Sequence, residues 1–231
     1  MTRFVPFLAA ILFSAAAPAA PPQPFSAVYA VSRDGKAIGE TTYRLDRLGD
    51  GDWSLTSETR GTAGMARMFG LEVNEASRFR WHGDAVEALS YDYRQDAAIR
   101  HKERHAEFDW SANEARVRDN GKDFRYPLEP GTSDRQVVSL AIGVALADGA
   151  KDVTIPVAVK DQIERQQYVT RGEETIIVPA GSYATVRIER ADAPGKLRSW
   201  YAPQTTPAPI RLEQRQGDGS TILLELKSLD G

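Results

Sequence analysis

The chain reads as a mainly β protein, an antiparallel, strongly curved sheet or open barrel with one principal helix and a short lid-like helical segment. Three observations predict this. Apolar and polar residues alternate along most of the chain, as they do in half-buried antiparallel strands. Turn signals such as Asp34-Gly35, Asp50-Gly51, Asn120-Gly121 and Asp218-Gly219 divide the alternating runs at roughly the eight-to-twelve-residue spacing of all-β folds. Only two segments, 61–69 and 134–147, break that rhythm.

Taken in order, residues 25–32 and 36–46 flank Asp34-Gly35 and predict a hairpin with a favoured tight turn. Asp50-Gly51 opens a strand over 53–60. In 61–69, Gly61, Gly64 and Gly70 bracket Met65, Met68 and Phe69, whose spacing fits one or two turns of helix. Strands follow over 71–81, 86–94 and 100–110, with a turn at Gly83-Asp84. The principal helix spans 134–147, with Thr132 and Ser133 as capping candidates and Gly149 as its stop. Val137, Leu140, Ala141 and Val144 share one of its faces, and Val138, Ile142 and Ala145 the next, so it is expected to be buried on more than one side. The remaining strands are expected over 153–159, 163–170, 175–178, 183–191, 197–201, 209–214 and 221–229, with Gly172 and Gly181 between some of them.

Parity assigns the strand faces. Leu71, Val73, Phe79 and Trp81 share one face, and Glu72, Asn74, Arg78 and Arg80 the other. The same reasoning turns Tyr43, Leu45, Trp53, Leu55, Tyr91, Tyr93, Ala106, Phe108, Trp110, Ile155, Val157, Val159, Ile222, Leu224 and Leu226 inward. Burying a large member of this set is worth about 1.5–3 kcal/mol, so the strand faces alone supply a core.

Ahead of these elements, Arg3, the apolar run over 4–17 and Ala17-Pro18-Ala19 predict a cleaved signal peptide over 1–19. A Pro-rich extended leader over 20–24 then leads into a single β-rich domain over 25–231. The apolar run is shorter than the roughly 20 residues a membrane helix needs, and no later run reaches that length, so no transmembrane segment is expected in the mature chain. The address is therefore periplasmic or secreted. Cysteine is absent, so no disulfide and no lipid-modified cysteine is expected. Without Arg3, 28 basic residues face 32 acidic ones, which argues against nucleic acid as a partner.

Catalytic patterns are weak. His101, Glu103 and His105 lie on one strand face and are sensible metal-ligand types, but that face is opposite Ala106 and Phe108 and reads as a solvated stripe. No serine stands in a nucleophile-elbow pattern, and neither phosphate loops nor dinucleotide fingerprints occur. Glu58, Glu72, Glu75 and Glu103 supply carboxylates, yet spacing alone does not show any pair converging. No cofactor is implied, and the reading favours a binder over an enzyme.

The opening 25–29, Gly39 in the next strand, the helix begun at Asp134, the segment 178–183 and the run 200–203 leading to 209–212 resemble the exported bacterial family called domain of unknown function 3108. That resemblance implies a periplasmic β-rich fold and carries over no catalytic residue. By looser similarity it resembles lipoprotein-carrier half-barrels with a helical lid, which implies apolar ligand binding. The expected contacts for a lipid or other apolar molecule are Met65, Met68, Phe69, Phe79, Trp81, Tyr91, Val137, Leu140 and Val144, with Arg78 and Arg80 for a head group. The alternative partner is another envelope protein docked on a sheet edge or helix.

Overall fold

A computed structural model describes residues 22–82, 85–98 and 100–231; the expected signal segment and the Gly83-Asp84 turn lie outside them. The strands are β1 (Phe25–Arg33), β2 (Lys36–Arg47), β3 (Trp53–Gly61), β4 (Glu72–His82), β5 (Ala85–Ala97), β6 (Arg100–Asp109), β7 (Glu114–Asp119), β8 (Lys122–Pro127), β9 (Asp152–Ala158), β10 (Ile163–Val178), β11 (Gly181–Arg190), β12 (Leu197–Tyr201), β13 (Pro209–Arg215) and β14 (Thr221–Asp230). The helices are α1 (Gly64–Met68) and α2 (Val138–Ala147). All fourteen strands form one sheet in the order β8-β7-β6-β5-β4-β3-β2-β1-β14-β13-β12-β11-β10-β9. Two meanders are thus joined where the first strand pairs with the last, Ser26 opposite Asp230.

The expected class holds: mainly β, antiparallel, with a principal helix and a short helical segment. The sheet is open, not closed or strongly curled. No ladder joins the end strands β8 and β9. β8 instead touches the segment just after β9: the Tyr126 hydroxyl donates to the Val159 carbonyl at 2.9 Å, and Lys160 lies 5.3 Å from the Phe124 ring centre.

Two strand details depart from the sequence reading. The hairpin of β7 and β8 is additional, built on Asn120 (φ 49°) and Gly121 (φ 79°), both in the left-handed region a two-residue turn requires. Each of its strands brings only two apolar side chains inward, Ala115 with Val117 and Phe124 with Tyr126, so its alternation is short. The runs 163–170 and 175–178 are one strand, β10, which passes Gly172 as a bulge instead of turning there.

Helix α2 lies against the inward face of the sheet. Its start is held by Asp134, whose Oδ1 accepts from the N–H groups of Gln136 (2.8 Å) and Val137 (2.9 Å). Thr132 and Ser133 are not the cap; the Thr132 hydroxyl donates to the Glu129 carbonyl and closes the preceding turn. At the other end Gly149 (φ 85°) and Ala150 donate to the carbonyls of Leu146 and Ala145, the paired bonds of a Schellman stop. Val137 and Leu140 belong to the main core with Leu45, Leu55, Phe79 and Leu226, while Ile142 and Leu146 pack with Ile155, Tyr168, Ile188 and Tyr201. The helix is therefore buried on two sides, as its all-round apolarity requires.

Buried hydroxyls tie the layers together. Tyr29 is almost wholly buried, and its hydroxyl donates to the Pro209 carbonyl at 2.8 Å. Tyr29→Phe is expected to cost about 1–2 kcal/mol in a urea unfolding series, because a buried carbonyl loses its donor while the ring still packs. Unchanged stability would show that water reaches Pro209.

Candidate functional site

The inward face is packed along one part of its strands and hollow along the other. On β1, Phe25, Ala27 and Tyr29 belong to the core, whereas Val31 lines a cavity; on β2, Leu45 is core and Ile38, Thr41 and Tyr43 line the cavity. β3 divides the same way, with Trp53 and Leu55 in the core and Ser57 and Thr59 on the cavity wall, as does β4, with Phe79 in the core and Val73 and Glu75, joined by Leu71 just before the strand, on the wall. Across the sheet, Leu226 is core and Ile222 and Leu224 line the cavity. The space between these strands and α2 measures about 640 Å³, within the range of small-molecule sites.

Its walls have two characters. Val31, Ile38, Leu71, Val73, Leu224 and, from the helix, Val138 and Ile142 are apolar. A polar group gathers where the chain enters α2. There the Tyr91 hydroxyl donates to Glu75 Oε2 at 2.6 Å, and the Ser77 hydroxyl donates to Gln136 Oε1 at 2.7 Å. Arg135 lines the cavity with its guanidinium 5.8 Å from the Tyr93 ring centre. Among the described residues no carboxylate lies within ion-pair distance of Arg135, whereas two other cations of the wall are paired, Arg104 with Asp119 and Arg190 with Glu164. Gln136 Nε2 and Asp134 Oδ2 are buried without a hydrogen-bond partner.

Burial dominates the electrostatics. It pushes the phenols of Tyr43, Tyr91 and Tyr93 above their ordinary values, with the Glu75 charge adding to the effect. Burial also pushes the Asp134 carboxyl up to about 6, outweighing the two backbone N–H groups that favour its charged form. The site therefore offers hydrogen-bond donors, an apolar stretch of wall and, in Arg135, Lys196 and Arg215, cations with no ion pair among the described residues. No nucleophile with an adjacent base is assembled there.

The residues expected to touch a ligand are not brought together by this cavity. Phe79, Tyr91, Val137 and Leu140 are buried in the packed clusters. Trp81 packs edge-on against Phe79 with ring centres 5.9 Å apart, and Val144 is half-buried on α2. Met65, Met68 and Phe69 are exposed on and beside α1, at 61%, 66% and 45%, so they form a surface patch instead of a cavity wall. Arg78 and Arg80 point to the outer face, where Arg78 pairs with Asp50 and Asp52 and Arg80 with Glu87. Sequence reading missed Arg135 and Gln136 and the inward role of Glu75. A signal was present, since Glu75 and Ser77 share the parity of Val73 and Phe79 and are polar where a core strand would be apolar.

His101, Glu103 and His105 are exposed on the outer face, as parity indicated, with His101 Nδ1 2.7 Å from Asp96 and His105 Nδ1 2.7 Å from Asp92. No group of side chains placed to hold a metal ion occurs among the described residues. A wider groove of about 1090 Å³ crosses this face, but Asp92 with His105 and Arg118 with Asp123 already satisfy one another there. Among the described residues no helix is long and apolar enough to cross a membrane.

The fold is similar to the crystal structure of a β-barrel-like protein of domain of unknown function DUF1849 from Brucella abortus. The match has a TM-score of 0.52 and 10% identity, covering 90% of this chain and 97% of the other. A "putative lipoprotein" from Parabacteroides distasonis aligns over 90% of this chain and 95% of its own at 9% identity, with a TM-score of 0.31. A comparison with curated protein sequences finds no match. The family model for proteins of unknown function DUF3108 matches residues 27–227, nearly the whole β-rich region, and the chain belongs to that family.

Proposed function

We propose that this protein is an exported envelope protein, periplasmic or secreted, that holds an apolar or amphiphilic molecule in the cavity between the sheet and α2 without transforming it. The observation that carries the reading is the division of single strands into a packed part and a hollow part, the hollow part lined by apolar residues beside polar and charged ones. An apolar chain would replace water along Val31, Ile38, Leu71, Val73 and Ile142, at about 25 cal/mol per Å² of apolar surface covered. The signal-like segment over 1–19 supports export.

Native mass spectrometry of protein purified from its own envelope tests this. A co-purifying amphiphile is expected, and Val73→Trp, which fills the cavity, should remove it while leaving the circular dichroism of the sheet intact. A clean apo mass together with no rise in melting temperature across a lipid panel would reject the reading.

One observation favours a second reading. Met65, Met68 and Phe69 form an exposed apolar patch, which suits docking on another envelope protein. Under that reading Met65→Asp with Met68→Asp abolishes a stoichiometric complex and leaves the cavity unaffected.

A further inference from the structure

We propose that the cavity selects a singly charged carboxylate head group and that Arg135 is the residue that reads it, an assignment that rests on the cavity reading above. Arg135 is a permanently charged side chain facing a partly open, half-apolar space, with no carboxylate in ion-pair reach among the described residues. Its guanidinium is exposed on the cavity wall, and Glu75 and Asp134 favour its charge from beyond ion-pair distance, so its donors stay open to a ligand anion. The geometry suits a fork of two parallel hydrogen bonds to a planar carboxylate, with the Tyr93 ring at 5.8 Å backing the guanidinium.

A second observation points the same way. Gln136 is buried, lines the same cavity and has its Oε1 engaged by Ser77, yet its Nε2 has no acceptor. One donor amide and one cation on adjacent residues therefore lack acceptors in the protein itself. The helix terminus is not what binds, because Asp134 Oδ1 already accepts from the N–H groups of Gln136 and Val137.

The negative groups nearby set the charge of the ligand. Glu75, held by the Tyr91 hydroxyl, and Asp134 are the carboxylates that act on Arg135, so a doubly charged phosphate monoester seated on it would meet more repulsion from them than a carboxylate does. With Val31, Ile38, Leu71, Val73, Val138 and Ile142 supplying an apolar stretch of the wall, the ligand class is a long-chain carboxylic acid.

The test uses the full mature chain, freed of bound lipid by reverse-phase exchange and refolding, and titrates it with hexadecanoic acid, its methyl ester and hexadecyl phosphate. The wild type is expected to bind the acid at least tenfold more tightly than the ester, and the phosphate no more tightly than the acid. Arg135→Gln should erase the preference for acid over ester while leaving ester affinity within about twofold, and Arg135→Lys should restore part of it. Equal binding of acid and ester by the wild type overturns the proposal, as does an equal loss of both in Arg135→Gln. Tighter binding of the phosphate overturns the selection for a single charge. Binding of none of the three rejects the cavity reading itself, an outcome distinct from all of these.

Discussion

Gly143→Ala is expected to destabilise the protein by about 1–3 kcal/mol, the cost of overpacking a filled interior, and Gly143→Leu by more. Propensity argues the opposite sign, since alanine inside a helix is favoured over glycine by roughly 0.5–1 kcal/mol. Contact decides it. A Cβ on Gly143 would lie 1.8 Å from the Pro207 carbonyl oxygen, 2.6 Å from its carbon and 2.9 Å from its Cα, all backbone atoms that cannot rotate away. α2 and the loop after β12 would have to part, and the hydrogen bond from the Tyr201 hydroxyl to the Ser139 carbonyl (3.0 Å), which joins the same two pieces, would stretch with them. For a chain of this size each kcal/mol lowers the melting temperature by roughly 2–4 °C, so a scanning calorimeter resolves the effect. An alanine variant as stable as the wild type would show that α2 does not rest on Pro207.

Asp134→Asn is expected to flatten the dependence of stability on pH between about 4 and 6. In the fold the carboxyl is pushed up to about 6 by burial, with Glu75 adding to the effect, against an ordinary value near 3.9. A raised carboxylate pKa means that the folded state holds its proton more tightly than the unfolded chain. Stability is then greatest below about pH 4 for this group and declines as pH rises through 6, by about 3 kcal/mol in all. Asparagine keeps the side-chain oxygen that accepts from Gln136 and Val137 and carries no charge, so the cap survives and the slope disappears. Chemical denaturation at pH 4.5 and 6.5 measures it. A variant with the wild-type slope over that interval would place the titrating group elsewhere.

Legibility differed between the fold and the site. Period-two alternation is a local property, so most strand runs, the inward faces and the Asp34-Gly35 hairpin stand close to where the sequence put them. The hairpin over β7 and β8 escaped because two inward apolar residues per strand, set among Arg116, Arg118, Asp123 and Arg125, make too short a pattern to separate from a polar loop. Treating Gly172 as a break divided β10, since a bulge and a turn use the same residue. The site escaped for a different reason. Apolarity directed attention to Met65, Met68 and Phe69, and their flanking glycines suggested a mobile lid, whereas Gly61 is required because Ala66 packs on its Cα, with a Cβ there only 2.6 Å from the Ala66 backbone.

The sequence by itself determined the class, the alternation of faces and the membership of the core, because each depends on the spacing of side chains along a strand or helix. Which inward positions are filled and which face open space was decided only by the tertiary structure. α2 covers one part of a continuous sheet face, so Leu45, Leu55 and Phe79 find partners while Thr41, Thr59 and Glu75 of the same parity border a cavity. Whether Arg135 meets a carboxylate or stands alone depends on strands that lie far from it in the chain, and that distance is settled by packing.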